Sequence, residues 1–283
     1  MLNHSLVEIE NELNSLPAPV VDEYRRATEL FGKNLEEQDQ IAWAQEGLNI
    51  AQQAIRAWEA ATEYFRSSFE VYKVIPFPQF LVWARSGSNL SKESPSIGVA
   101  YFRSSPASVA FINPRNIETW ASMGQSLYNG TWKSTTLASK FFESSPIFLN
   151  TLTIYELEMF VNVIATLAQK SYDLATECVL LGQRYLPQLS NDREQFIKML
   201  SSLANQNWRE IKGCLESVPR LPNQLNGKQR DQLFSFADRL ASSGSNNVSQ
   251  FLIEGSQSLG LLNPDQQHRV FQLAELLIAE SID

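Results

Sequence analysis

The sequence predicts an all-α solenoid of about six to seven helix-pair repeats with no β-sheet, and three observations carry that expectation. Trp43, Trp83 and Trp120 are each followed four residues later by a glycine, Gly47, Gly87 and Gly124, and then by an aromatic pair ending in Phe65, Phe102 and Phe142. A serine pair lies two residues beyond each of those phenylalanines, with Pro106 and Pro146 directly behind it in two copies. Weaker copies in the same phase start at Phe160, Phe196, Leu233 and Val270, so starts at 43, 83, 120, 160, 196, 233 and 270 lie 36 to 40 residues apart. Self-similarity at such a period marks stacked supersecondary units, each hiding an apolar face against its neighbour.

The elements follow in order. Residues 1–40 read as N-terminal capping helices and a degenerate half-repeat: Leu2, Leu6, Ile9, Leu13 and Leu16 share a helical face, and Pro17 and Pro19 end that helix. Val20 to Phe31 then forms a second helix, with Tyr24 and Phe31 as the tail of a partial unit. Residues 41–283 form the array. Each first helix is preceded by an apolar residue (Leu35, Ile75, Ile112, Leu152, Leu189, Leu225, Leu262). A cap often follows, in Asn113, Thr153, Ser190, Asn226 and Asn263, with Pro114 and Pro264 suited to a first helical turn.

Second helices are expected to start eleven residues after each landmark, at Ser94-Pro95, at Ser171, and at Asn207 with Glu210 in capping-box spacing. They are expected to stop at Ser-Ser-Pro, because proline cannot continue a helix. The apolar run Ser96 to Phe102 falls inside a second helix by its register. A glycine inside the first helix costs about 1 kcal/mol against alanine, so close approach of a neighbouring helix is expected there. The tryptophans 43, 58, 83, 120 and 132 are assigned to the core. The last unit holds Ala274, Leu277 and Ser281 but no second helix, and so predicts that the chain continues in a longer protein.

Composition narrows the function. The 283 residues are 43% hydrophobic and carry a net charge of −8, with a pI near 5.0. The basic residues are scattered, which argues against nucleic acid. Arg25-Arg26 and the pair Glu59 and Glu63 read as solvated helix faces. No apolar run reaches the ~20 residues of a membrane span, and no export signal is evident, which predicts a cytoplasmic location. Cys178 and Cys214 recur at one position of successive units and are expected to be free, buried thiols. His4 and His268 are isolated, and phosphate-loop, hydrolase and zinc-protease motifs are lacking, so no catalytic, metal or cofactor residue is assigned.

The units from Trp83 to Pro106 and from Trp120 to Pro146, followed by Ser171 to Val179 and Asn207 to Ser217, resemble the helical-repeat region preceding the von Willebrand factor A (VWA) domain in bacterial proteins similar to the NorD/CbbO-type partners of MoxR-class AAA+ ATPases. The resemblance covers roughly residues 40 to 280. It implies a helical platform for a protein partner, such as a MoxR-type ATPase or its client. The D-x-S-x-S motif that binds metal in that family's VWA domain is absent, so its metal function transfers to no residue here. The expected function is therefore a non-catalytic scaffold. A stand-alone tetratricopeptide-like or HEAT-like regulator, binding a peptide or small ligand in its groove, is the alternative.

The inside/outside assignment has a direct test. Phe142→Ala should cost ~3–5 kcal/mol of stability in a thermal melt, and Lys140→Ala a small fraction of that. Equal losses would refute the assignment.

Overall fold

The computed structural model describes residues 5–130, 135–221, 227–263, 265–270 and 272–273. Leu2, His4, Trp132, Leu225, Asn226, Pro264, Ala274, Leu277 and Ser281 lie outside them. Among the described residues every regular element is helical, and no strand occurs. The chain divides into two compact units, Met1–Asn150 and Thr151–Asp283.

The first unit begins with α1 (Leu6–Leu13), whose N-terminus is closed by a capping box between Ser5 and Glu8. Its Ile9 and Leu13 are buried, as the spacing predicts. Next come α2 (Ala18–Leu30), α3 (Glu37–Gln52), α4 (Ala57–Tyr72), α5 (Phe77–Glu93), α6 (Pro95–Ser108), α7 (Ile117–Asn129) and α8 (Thr135–Thr151). The helices alternate between two layers: α1, α3, α5 and α7 pack in series, and so do α2, α4 and α6. The β-branched run Ser96 to Phe102 lies inside α6.

Three rings repeat at each junction. Trp43, Trp83 and Trp120 are fully buried. Each faces the tyrosine of the preceding unit, with centroid separations of 5.3 Å to Tyr24, 5.4 Å to Tyr64 and 4.7 Å to Tyr101. Each also meets the phenylalanine of its own unit edge-on, at interplanar angles of 85° (Phe65), 79° (Phe102) and 88° (Phe142). Such edge-to-face pairs contribute ~0.5–1.5 kcal/mol beyond area burial. The indole N–H donates to the second serine of the pair: Trp43 to Ser68 (3.1 Å), Trp83 to Ser105 (2.8 Å) and Trp120 to Ser145 (2.9 Å). That serine in turn donates to the carbonyl four residues back, on Tyr64, Tyr101 or Phe141. In two units the tyrosine hydroxyl closes the circuit by donating to the tryptophan carbonyl, Tyr64 to Trp43 and Tyr101 to Trp83.

Several expectations need correction. Ser-Ser-Pro does not end the second helix: Pro106 and Pro146 lie inside α6 and α8. A proline inside a helix leaves the carbonyl four residues back without its usual donor. The carbonyl freed by Pro106 is that of Phe102, and Ser67 of the preceding unit donates to it at 2.8 Å. An inter-repeat bond thus replaces the lost helical one, and the helix runs on. Trp58 is half-buried rather than in the core. Asn207 does not cap a second helix, because its amide reaches Ser245 and Asn246 in the next unit. Ser190 has φ 48° within a 3-10 stretch, and the following helix starts behind Asp192 instead.

The glycines answer to rings rather than to helix backbones. A Cβ on Gly47, Gly87 or Gly124 would sit 2.0, 2.1 or 2.1 Å from the ring tip of Phe65, Phe102 or Phe142. Each ring therefore occupies the space a side chain would need.

The second unit contains α9 (Ile154–Ala168), α10 (Tyr172–Tyr185), α11 (Arg193–Gln206), α12 (Glu210–Ser217), α13 (Gly227–Ser242), α14 (Val248–Gln250) and α15 (Ser256–Leu261), with a π-turn over Phe251–Gly255. Again α9, α11 and α13 form one series and α10, α12 and α14 the other. Thr153 and Glu156 form a capping box on α9, and Asn263 exchanges bonds with Gln266 in the same manner. The landmark phenylalanines Phe160 and Phe196 are buried.

In this unit a glycine takes the phenylalanine's position, and a phenylalanine takes the tryptophan's. Phe65, Phe142 and Gly182 lie 22 residues after Trp43, Trp120 and Phe160 respectively. A Cβ on Gly182 would sit 2.3 Å from the ring tip of Phe160. Polar links then join successive repeats: Arg193 to Glu156 (3.5 Å), Arg230 to Asp192 (3.1 Å), Gln195 to Asp231 (3.1 Å) and Ser202 to Asp238 (2.6 Å).

Gly87→Ala tests the ring-in-place-of-side-chain packing. Alanine normally adds about 1 kcal/mol of helix stability over glycine, but here overpacking against Phe102 should cost ~1–3 kcal/mol. Urea titration should show a lowered midpoint, and the loss should shrink in a Phe102→Leu background. A Gly87→Ala chain as stable as the parent would contradict this packing.

Candidate functional site: an arginine row across stacked helices

Helices α2, α4 and α6 pack side by side, which places residues of equal phase one helix apart. Arg26, Arg66 and Arg103 share one phase, at separations of 40 and 37 residues, and Glu23 and Glu63 precede the first two by three residues. Glu23 accepts from Arg26 at 2.7 Å and from Arg66 at 3.0 Å. Glu63 accepts from Arg66 at 2.9 Å and from Arg103 at 2.8 Å. The five side chains form one continuous alternation of charge across three helices.

The two signs are not equally accessible. Side-chain exposure is 51% for Arg26, 48% for Arg66 and 65% for Arg103, against 18% for Glu23 and 7% for Glu63. The carboxylates lie underneath and the guanidinium groups face outward. Burial pushes the Glu23 carboxyl up, but the hydrogen bonds and charges of Arg26 and Arg66 outweigh it and hold it below its usual 4.5. The hydrogen bond to Glu23 likewise raises Arg66.

Three hollows open on this face, and Arg103 lines all of them. The largest, about 680 Å³, lies among Glu23, Arg26, Glu63, Arg66, Ser67, Glu70, Arg103 and Pro106. One of about 300 Å³ lies between α6 and α8, lined besides Arg103 by Ser96, Val99, Ala100, Ser104, Ser139, Glu143 and Pro146. A third of about 230 Å³ has Trp58, Thr62 and Val99 around it. The first two share a plan. The first serine of one unit's pair (Ser67, Ser104) and the proline of the next (Pro106, Pro146) line the space that the small side chains leave open.

The landmark residues themselves, Trp43, Gly47, Phe65, Trp83, Gly87, Phe102, Trp120, Gly124, Phe142, Phe160 and Phe196, are interior, whereas Pro106 and Pro146 border hollows. Glu63 is buried beneath two arginines, which corrects its assignment to a solvated face; Glu59, paired with Arg56, lies at the rim. Arg25 and Arg26 are exposed, as expected. The signal for the row was present in the sequence as Phe-Arg-Ser-Ser at 65–68 and 102–105.

Cys178 and Cys214 are free and buried. Burial pushes the Cys178 thiol up to about 12 and raises Cys214 as well, so neither is a ready nucleophile. His268 is exposed, within 3.0 Å of Gln272. Among the described residues no three His, Cys, Asp or Glu side chains converge as a metal site, and no helix is long and apolar enough to cross a membrane. The chain matches no family model, no curated protein and no solved structure.

The Glu23 network should weaken in acid. Its carboxyl is lowered on folding, so its contribution is complete above the ordinary glutamate value and disappears as pH falls through the lowered one. The melting-temperature gap between the parent and Glu23→Gln should stay constant from neutral pH to about 5 and close below 4.5. No gap at neutral pH, or one that does not narrow as pH falls below 4.5, would contradict the network.

Proposed function

We propose that this chain is a non-catalytic helical-repeat scaffold that binds a protein partner along the face of α2, α4, α6 and α8. The observation that carries the reading is the row of hollows on that face, joined at Arg103. A rigid helical surface with small recesses and outward guanidinium groups suits recognition of another chain, because arginine supplies directed donors at interfaces and is enriched there.

The finer reading is that the scaffold serves as the adaptor region of a cytoplasmic VWA/MoxR-type AAA+ activation system. Its support is the resemblance of the units Trp83 to Pro106 and Trp120 to Pro146 to the repeat region of such proteins. A second reading, a stand-alone regulator that holds a peptide or small ligand, draws on the 300 Å³ hollow, which is at the lower end for small-molecule sites.

Immobilised chain incubated with native lysate, followed by mass spectrometry of the retained proteins, separates these readings. The scaffold reading expects a small, reproducible set, with a MoxR-type ATPase among them. Retention of nothing would overturn it. A reproducible set lacking any such ATPase would overturn the adaptor assignment and leave the scaffold standing.

A further inference from the structure

The row Arg26, Arg66 and Arg103 is a cationic feature on a chain of net charge −8. It owes its outward sign to depth: each of Glu23 and Glu63 is held between two arginines and lies below them. The structure gives Arg103 one side-chain bond, from one guanidinium nitrogen to Glu63, while most of its surface is exposed. The three arginines stand on successive helices with much of each guanidinium side chain exposed, although Arg26 also donates to the Arg66 carbonyl at 3.3 Å. The carboxylates at the edges, exposed Glu70 and Glu143 and half-buried Glu59, are paired with Lys73, Lys140 and Arg56. At the fourth position of the row Glu143 replaces arginine, so the cationic stretch ends on α6.

Spacing decides the shape of a matching ligand. Packed helices lie about 8–10 Å apart. An extended polyproline-type chain rises about 3.1 Å per residue with three residues per turn, so side chains three apart recur about every 9 Å on one side. One interval beyond Arg103 the row position is Glu143, so the acidic repeat of a matching ligand ends over α6.

We propose that this face binds an extended acidic peptide segment of a partner protein, with Asp or Glu at every third position on Arg26, Arg66 and Arg103. The proposal rests on the scaffold reading and names the chemistry of its partner.

Fluorescence anisotropy with labelled peptides tests it on the full chain. A repeating Glu-Pro-Ala peptide should bind, and added salt should weaken it. A peptide of the same composition with its glutamates contiguous should bind less tightly, and a Lys-Pro-Ala repeat should not bind. Arg66→Gln and Arg103→Gln should each weaken binding about tenfold, while Arg85→Gln, on exposed surface of α5, should leave it unchanged. Each row variant leaves Glu63 one arginine, and a thermal melt checks that it folds.

Equal binding of the contiguous peptide would overturn the spacing argument. Binding unaffected by both row variants would overturn the site, and tighter binding of a single-stranded oligonucleotide would overturn the partner class. Should Arg66→Gln and Arg103→Gln retain the same lysate proteins as the parent, the row falls and the scaffold reading survives. If neither peptide nor lysate protein is held, both fall.

Discussion

The bond from a buried tryptophan N–H to a serine hydroxyl is the constraint on which the first unit depends. An indole packed among rings offers a donor that cannot reach water, and leaving such a donor unmet costs ~1–3 kcal/mol. Ser68, Ser105 and Ser145 meet it from the partner helix of the same pair. Their own hydroxyl protons go to the carbonyl four residues back, so each serine satisfies two groups at once. This fixes the rotation of one helix against the other to within a hydrogen bond. The tyrosine of each unit, turned toward the next tryptophan, then sets the following pair. Dispersion and burial supply most of the energy, but the indole bond selects which packing is adopted.

The second unit solves the same stacking problem with other chemistry. Tryptophan and tyrosine leave the landmark positions there, and side-chain links between successive repeats take over, as in Arg193 to Glu156 and Arg230 to Asp192. Glu156 also closes a capping box at its own helix, so one carboxylate serves both helix start and repeat junction. Lys170 donates to the carbonyls of Ala204 and Asn205, at the end of α11. Cations at helix C-termini are favoured by the exposed carbonyl dipoles, and here the cation comes from the preceding repeat.

Much of the fold was legible because its period is written in large residues. Trp43, Trp83 and Trp120 keep phase with a glycine and a phenylalanine, and burial follows from that phase without knowledge of any contact. What escaped reading was the role of small residues. Ser-Ser-Pro looked like a stop because proline ends isolated helices, but a donor from another repeat, Ser67, rescues the carbonyl that Pro106 abandons. No local rule contains that bond, since its partners are 35 residues apart. The candidate site escaped for a related reason. Arg26, Arg66 and Arg103 are scattered along the chain and become a row once α2, α4 and α6 are laid side by side, and Glu63 looks solvated until the two arginines above it are placed.

The pairing of Gly87 with Phe102, and of Gly182 with Phe160, bears on how such a chain can change over generations. In each pair one partner must be tiny because the other is large. Replacing the glycine alone brings two bodies into one space, and shrinking the phenylalanine alone opens a void. The two sites are therefore locked into joint substitution, and each accepts its residue only on the condition of what its opposite already holds.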